Sequence, residues 1–328
     1  MSANRGNAVR IFQMTASNVC RTGLVLISHG SPSQPWNKTM ERVCDSVRSA
    51  LNGRSYNPFN AVKLAHLEFA KPDIAEVCES FEAMGCDRII AYPLFISVSS
   101  HSERDIPNAL NIRYHDHGDP DIRRYTGRLP VTLTAPMDHG PILPQMVAEC
   151  AKEISVDPSR ETALILSHGG GCEHFWEHMH RRVAQEVTKA TGIEDVSWLG
   201  VQTGRSAASQ DRVVQAVRDI KAKELTRRIL VLSCFGGLSG TQFIERVNQG
   251  LTKREMSPLE GLVGCSGWIN RPPAIEEIVN VTQRAAAAAT GHAIEDIEKI
   301  TGLSSKDEFP PYNPPFWLTR DRPGRNNH

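Results

Sequence analysis

Leu24-Val25-Leu26-Ile27-Ser28-His29-Gly30-Ser31 governs the reading of the whole chain, because its pattern occurs a second time. An apolar run of strand length ends in a Ser-His-Gly turn, and Ala163-Leu164-Ile165-Leu166-Ser167-His168-Gly169-Gly170 repeats the pattern with His168 139 residues after His29. Asp87-Arg88-Ile89-Ile90 is echoed by Arg227-Arg228-Ile229-Leu230, and Phe235 follows Phe95 by 140 residues. Two distant anchors at nearly one offset imply a duplicated unit of about 140 residues.

Reading outward from that stretch, apolar runs of strand length alternate with amphipathic segments of helix length. Strands are expected at Leu24–Ser28, Val62–Phe69, Arg88–Phe95 and Val131–Ala135, and helices at Asn37–Leu51, Asp73–Met84 and Ile142–Ile154. This βαβα order defines an α/β chain of two tandem, doubly wound, parallel-sheet lobes related by internal duplication. The expected division is a leader over 1–21, a first lobe over 22–155, a second over 160–292 and a Pro-rich tail over 302–328. The polar stretch Ser155–Glu161, with its Asp-Pro turn, marks the boundary between lobes. In the tail, Phe309–Trp317 carries four prolines, which favours polyproline II over helix or central strand.

Composition narrows the function. The 328 residues hold 37 Lys plus Arg and 37 Asp plus Glu, so nothing global attracts nucleic acid or an anionic membrane, and an anionic ligand needs a local basic patch. No stretch approaches the ~20 apolar residues of a membrane helix, and the N-terminus lacks a signal peptide's apolar core. A cytoplasmic location is therefore expected. Eight scattered cysteines without a CxxC pair read as reduced structural thiols, not as a zinc or iron–sulfur site. Neither a P-loop nor a GxGxxG motif is present, so no nucleotide cofactor is expected.

Ligands of open α/β sheets sit outside the carboxyl ends of the strands. His29 follows strand one and His101 follows strand three, so the two can face one cleft, and neutral imidazoles suit cobalt, nickel or ferrous iron. From the residues alone the alternatives stay open: the His-Gly-Ser turn can be an anion nest, and His101 a helix N-terminal residue. His115 and His117 lie in a polar loop that could collect metal or simply be solvated. Cys172, His174, His178 and His180 share an expected helix, where 174 and 178 have the i,i+4 spacing of a metal pair but without an HExxH arrangement, and so read as cleft wall or surface.

A resemblance narrows the choice. His29-Gly30-Ser31, Leu67-Glu68-Phe69-Ala70-Lys71-Pro72-Asp73-Ile74, Gly85, Asp87–Ile90, Pro93-Leu94-Phe95, His101 and Asp105-Ile106-Pro107 resemble, in order and spacing, the sirohydrochlorin cobalto- and ferrochelatases. These are class II chelatases, a type that also has a nickel-inserting member. Met137-Asp138-His139-Gly140-Pro141 is similar to the glycine-histidine-proline stretch that closes the family's unit. The likeness is close over residues 22–150 and degenerate over 160–290. Ser99-Ser100 and Pro32 depart from the family pattern, where glycine and arginine are frequent, and a cysteine-rich tail is absent.

The resemblance implies that the chain inserts Co2+ or Fe2+ into sirohydrochlorin, with His29 and His101 as the metal-contacting and catalytic pair. The metal would be a substrate and no cofactor would be tightly bound. The partner would be the tetrapyrrole alone, and the chain a monomer or weak homo-oligomer, its second half standing where short members place a second copy. His168 survives in that half but the counterpart of His101 is Thr241, so one active cleft is expected. Glu68 is the candidate assisting carboxylate, or else an ion-pair partner of Lys71. Asp105 is expected to cap the helix that begins near it, with Glu103 able to do the same. Ser31, Lys71, Arg104 and Arg205 are candidates for binding substrate, the cations by charge-assisted bonds to its carboxylates. The competing readings are a noncatalytic tetrapyrrole or metal carrier, and a chelatase for another porphyrin.

Overall fold

The computed structural model describes residues 20–96, 99–114, 118–137, 142–169, 173–201, 206–223, 228–291 and 318–320. The first lobe is built from β1 (Thr22–Ser28), α1 (Gln34–Asn52), β2 (Phe59–His66), α2 (Ile74–Ala83), β3 (Arg88–Pro93), α3 (Ile106–Ala109), β4 (Val131–Leu133) and α4 (Ile142–Ile154). The second follows with β5 (Glu161–Ser167), α5 (Glu173–Thr191), β6 (Val196–Gly200), α6 (Ala207–Lys223), β7 (Arg228–Ser233), α7 (Gly240–Lys253), β8 (Leu262–Gly264) and α8 (Pro272–Ala289). The first sheet has the order β2-β1-β3-β4, extended at its edge by the antiparallel β9 (Leu318–Arg320), and the second has the order β6-β5-β7-β8. All pairs other than β4–β9 are parallel, and the two orders are the same once the 140-residue offset is applied. The duplication read from the sequence is therefore a duplication of topology.

Each central strand is apolar on both faces because both faces are covered. Along β1, Leu24 and Leu26 enter one core while Val25 and Ile27 enter another, and β5 and β7 divide in the same way. The core shared by the lobes is filled from α1, α4, α5 and α8, whereas α2 and α6 cover the outer faces. Local signals set the helix ends: Asp73 and Glu76 form a reciprocal capping box on α2, and Ser239 and Gln242 do so on α7.

The segment joining α4 to β5 is held by the buried Glu161. Its carboxylate accepts bonds from Ser155 Oγ (2.5 Å), the Val156 N–H (3.0 Å) and Arg228 Nη1 (2.6 Å). Burial alone would raise its pKa, but these bonds outweigh burial and hold it below the ordinary glutamate value. Packing does not follow the chain division. α8, which the sequence places with the second lobe, packs on α1 and β3 of the first, and α4 packs on α5 and β7 of the second. Gln283 reaches the Tyr56 carbonyl, Arg88 the Ala289 carbonyl and Arg54 the Glu276 carboxylate across that contact. Among the described residues no helix is long and apolar enough to cross a membrane, and the described cysteines are all free thiols.

Candidate metal centre in the cleft between the lobes

β1 lies between β2 and β3, so the chain segments leaving these three strands are neighbours at the carboxyl edge of the sheet. Backbone bonds carry the register past the strand ends: Leu67 donates to the Ser28 carbonyl, Glu68 to His29 and Leu94 to Ile27, at 2.7–2.9 Å. Glu68 is thus laid beside His29. Gly30 (φ +82°) lets the chain turn there, since a Cβ on it would stand 1.8 Å from the Glu68 carbonyl oxygen. His101 opens a π-helical turn over His101–Asp105 that runs into α3. The wider turn is a frequent device at functional sites.

These placements bring His29, Glu68 and His101 together, with one ligand atom of each within 4.8 Å of the others. The two imidazoles meet edge to face, centroids 4.8 Å apart, and Glu68 Oε1 lies 3.9 Å from His101 Nδ1. His29 Nδ1 is 3.0 Å from the Gly30 carbonyl oxygen, so with the proton on Nδ1 its Nε2 lone pair is left for a ligand. His101 Nδ1 sits 2.7 Å from Asp105 Oδ2, a carboxylate almost wholly buried that also accepts the Asp119 N–H at 3.3 Å. A carboxylate on the far nitrogen of a histidine fixes its tautomer and orientation. Asp105 does not cap α3: its side chain makes no capping bond, because the i+4 position turns it back to His101. Glu103 is exposed. Lys71 bonds Asp73 and Glu76 at 2.6 and 2.9 Å, not Glu68, because the capping box of α2 gathers those two carboxylates beside it.

The centre opens into a cavity of about 780 Å3 between the lobes, within the size range of small-molecule sites. The first lobe contributes His29, Ser31, Trp36, Phe69, Phe95 and His101 to its walls, and the second contributes His168, Trp176, Phe235, Gly237, Gln242 and Arg246. Trp36 lies directly on Gly237, where a Cβ would come within 2.0 Å of the indole. Ser31 therefore faces the cleft, whereas neither Lys71 nor Arg104 is among the lining residues, and Arg205 lies outside the described residues. Among the described lining residues the Lys or Arg is Arg246, which the sequence reading missed. In the second copy it occupies the place of the apolar Ile106, so the duplication gave no cue to it.

The second lobe repeats half of the centre. His168 Nδ1 is 3.0 Å from the Gly169 carbonyl oxygen, as in the first copy. The counterpart of His101 is Thr241, whose hydroxyl donates to the Gly264 carbonyl at 2.9 Å and so ties α7 to β8. His180 is buried, 2.7 Å from Ser167 Oγ and stacked on Trp198, and burial lowers its pKa to about 4. His178 is exposed, and the side chains of Cys172 and His174, like residues 115–117 and 138–141, lie outside the described set.

Two fused, topologically identical α/β lobes, with a two-histidine, one-carboxylate centre in one of them, define a chelatase-like protein of the two-lobed type. Residues 23–154 match the CbiX family model. A sirohydrochlorin cobaltochelatase of Sulfurisphaera tokodaii is 30% identical over 27% of this chain and 67% of its own length, and one of Methanococcoides burtonii is 28% identical over 41% and 97%. The chain belongs to this sirohydrochlorin cobaltochelatase family of class II chelatases. In fold it is similar to SirB from Bacillus subtilis solved with Fe3+ (TM-score 0.57, 14% identity, covering 83% of this chain and 98% of SirB). It is similar also to DR2241 from Deinococcus radiodurans (TM-score 0.53, 18% identity, 83% and 59%).

Proposed function

We propose that the chain inserts a divalent metal, Co2+ or Fe2+, into sirohydrochlorin. The observation that carries this reading is the convergence of His29, Glu68 and His101 at the floor of an aromatic-walled cleft. Two imidazoles and a carboxylate form a donor set for a borderline divalent metal, and three protein ligands leave positions open to the incoming ring nitrogens. Insertion exchanges two pyrrole protons for the metal. His29 and His101 hold the metal while it sheds water and release it as the ring nitrogens replace them. Once the metal has left, the freed imidazoles and Glu68 are bases within reach of the departing protons. Asp105 keeps His101 turned toward the metal.

Relatives named as cobaltochelatases support cobalt, and SirB has been solved with iron and with cobalt. As read, the reaction needs no resident cofactor, nucleotide, nucleic acid or membrane and suits the cytoplasm. Both cleft walls come from one chain, so a monomer suffices. An anaerobic absorbance assay with sirohydrochlorin and Co2+, Fe2+ or Ni2+ tests the proposal. Many turnovers per chain are expected with Co2+ or Fe2+. Stoichiometric binding without acceleration over the protein-free rate makes the chain a carrier instead.

A further inference from the structure

We propose that the ring of Phe69 is the platform on which the flat face of the tetrapyrrole stacks over the metal centre, an inference that rests on the chelatase reading above. Three features of this residue are each unfavourable to the free protein and meet at one point. Its side chain belongs to a large apolar residue 65% exposed, whereas Trp176 and Phe235, facing the same cleft, are both nearly buried. Its backbone has φ +60°, a left-handed conformation that a bulky residue rarely adopts. The Ala70 N–H donates to the Glu68 carbonyl at 2.7 Å across it, closing a γ-turn of the rare positive-φ form.

Glycine would meet those backbone demands without strain. A phenyl ring there is explained by what the turn does with it. Glu68 is directed to His101 while the next ring is lifted into the cleft, lying 5.8 Å from the His29 imidazole at an interplanar angle of 22°. A ring nearly parallel to a metal-holding imidazole, exposed on the cavity side, offers a π surface beside the atoms that receive the metal. The ligand this surface fits is a planar conjugated macrocycle. Strain at a binding site is retained where the surrounding structure over-determines it, and here the Glu68–His29 backbone bond and Gly30 fix the turn.

The test is an anaerobic titration of the full chain with metal-free sirohydrochlorin, followed by absorbance, beside a separate titration with Co2+ alone and a thermal melt. Phe69→Leu should weaken tetrapyrrole binding about 5- to 10-fold while leaving Co2+ affinity within about 2-fold, and Phe69→Tyr should bind as the parent does. Phe69→Gly should bind the macrocycle weakly yet melt no lower than the parent, because it relieves the left-handed strain and removes little packing. Equal tetrapyrrole affinity in the parent and Phe69→Leu overturns the contact alone. A matching loss of Co2+ affinity, or a lower melting midpoint for Phe69→Gly, assigns the ring to supporting His29 and overturns it as well. A parent chain that binds no tetrapyrrole overturns the chelatase reading, and the contact falls with it.

Discussion

His29 and His101, the proposed metal pair, are positioned by different kinds of partner. His29 is oriented by a backbone carbonyl one residue away, His101 by a buried carboxylate one turn away. His29→Ala or His101→Ala should abolish metal insertion with the far-ultraviolet circular dichroism unchanged, since neither side chain is part of a core. Asp105→Asn should keep the fold and lose about 10- to 100-fold in Co2+ affinity, the range for outer partners of metal-bound histidine. His168→Ala should cost far less insertion rate, because Thr241 gives it no partner. Acid should also weaken the fold. His180 is buried with its pKa lowered to about 4, so the unfolded chain binds its proton more readily than the folded one. Stability is then unaffected above the ordinary histidine pKa near ~6.5 and falls as pH drops from there toward 4. Denaturant melts should show about 2 kcal/mol less stability at pH 5 than at pH 7.5 from this group. His180→Gln, which can still bond Ser167, should remove that part of the slope. His66, also buried and shifted down, adds to the slope in the same direction.

The decisive elements are short: the turn after β1, the γ-turn after β2 and the π-helical turn after β3. Each bends the chain at a strand end and aims one side chain inward, and the first two are locked by the closeness of Gly30 to the Glu68 carbonyl. Gly30→Ala forces a Cβ against backbone in a left-handed conformation, so both the turn and the Glu68 peptide must move. A loss of about 2 kcal/mol or more in unfolding free energy and a large fall in insertion rate are expected, whereas Gly53→Ala, in an open right-handed position, should be nearly silent in both measurements. At this scale the elements were legible because their signals are local. Ile142–Ile154 is the helix its apolar spacing marks, and α2 starts behind its Asp73 cap, where the helix was expected to begin. The second strand is displaced toward the N-terminus, Phe59–His66 instead of Val62–Phe69, because the γ-turn takes Phe69 out of the extended conformation. Composition carries no signal for that turn, since a phenylalanine among apolar residues reads as strand.

At the scale of the whole molecule, the two lobes exchange support. α8 closes the first lobe and α4 is built into the second, so the shared core is continuous from one sheet to the other. A fragment of residues 20–155 should therefore fail to give a folded monomer. Without α8 and α5 it exposes the apolar faces of α1 and α4, and light scattering should find it self-associated or aggregated while the full chain is discrete. What repeats or is periodic was legible in the chain alone: the duplicated α/β unit, the alternation of strands and helices, and the position of His29 and His101 in loops that follow strands of a parallel sheet, because these follow from local pattern and connection rules. Contacts between distant segments set the rest. Tertiary packing turned Asp105 from a helix cap into the partner of His101, took Lys71 away from Glu68, set Arg246 in the cleft from the lobe that has Thr241 in place of a second His101, and sent α8 back across the linker. The physical reason is that a side chain's partners are fixed by which surfaces the packed cores press together, and that pressing is not written in the spacing of any one segment.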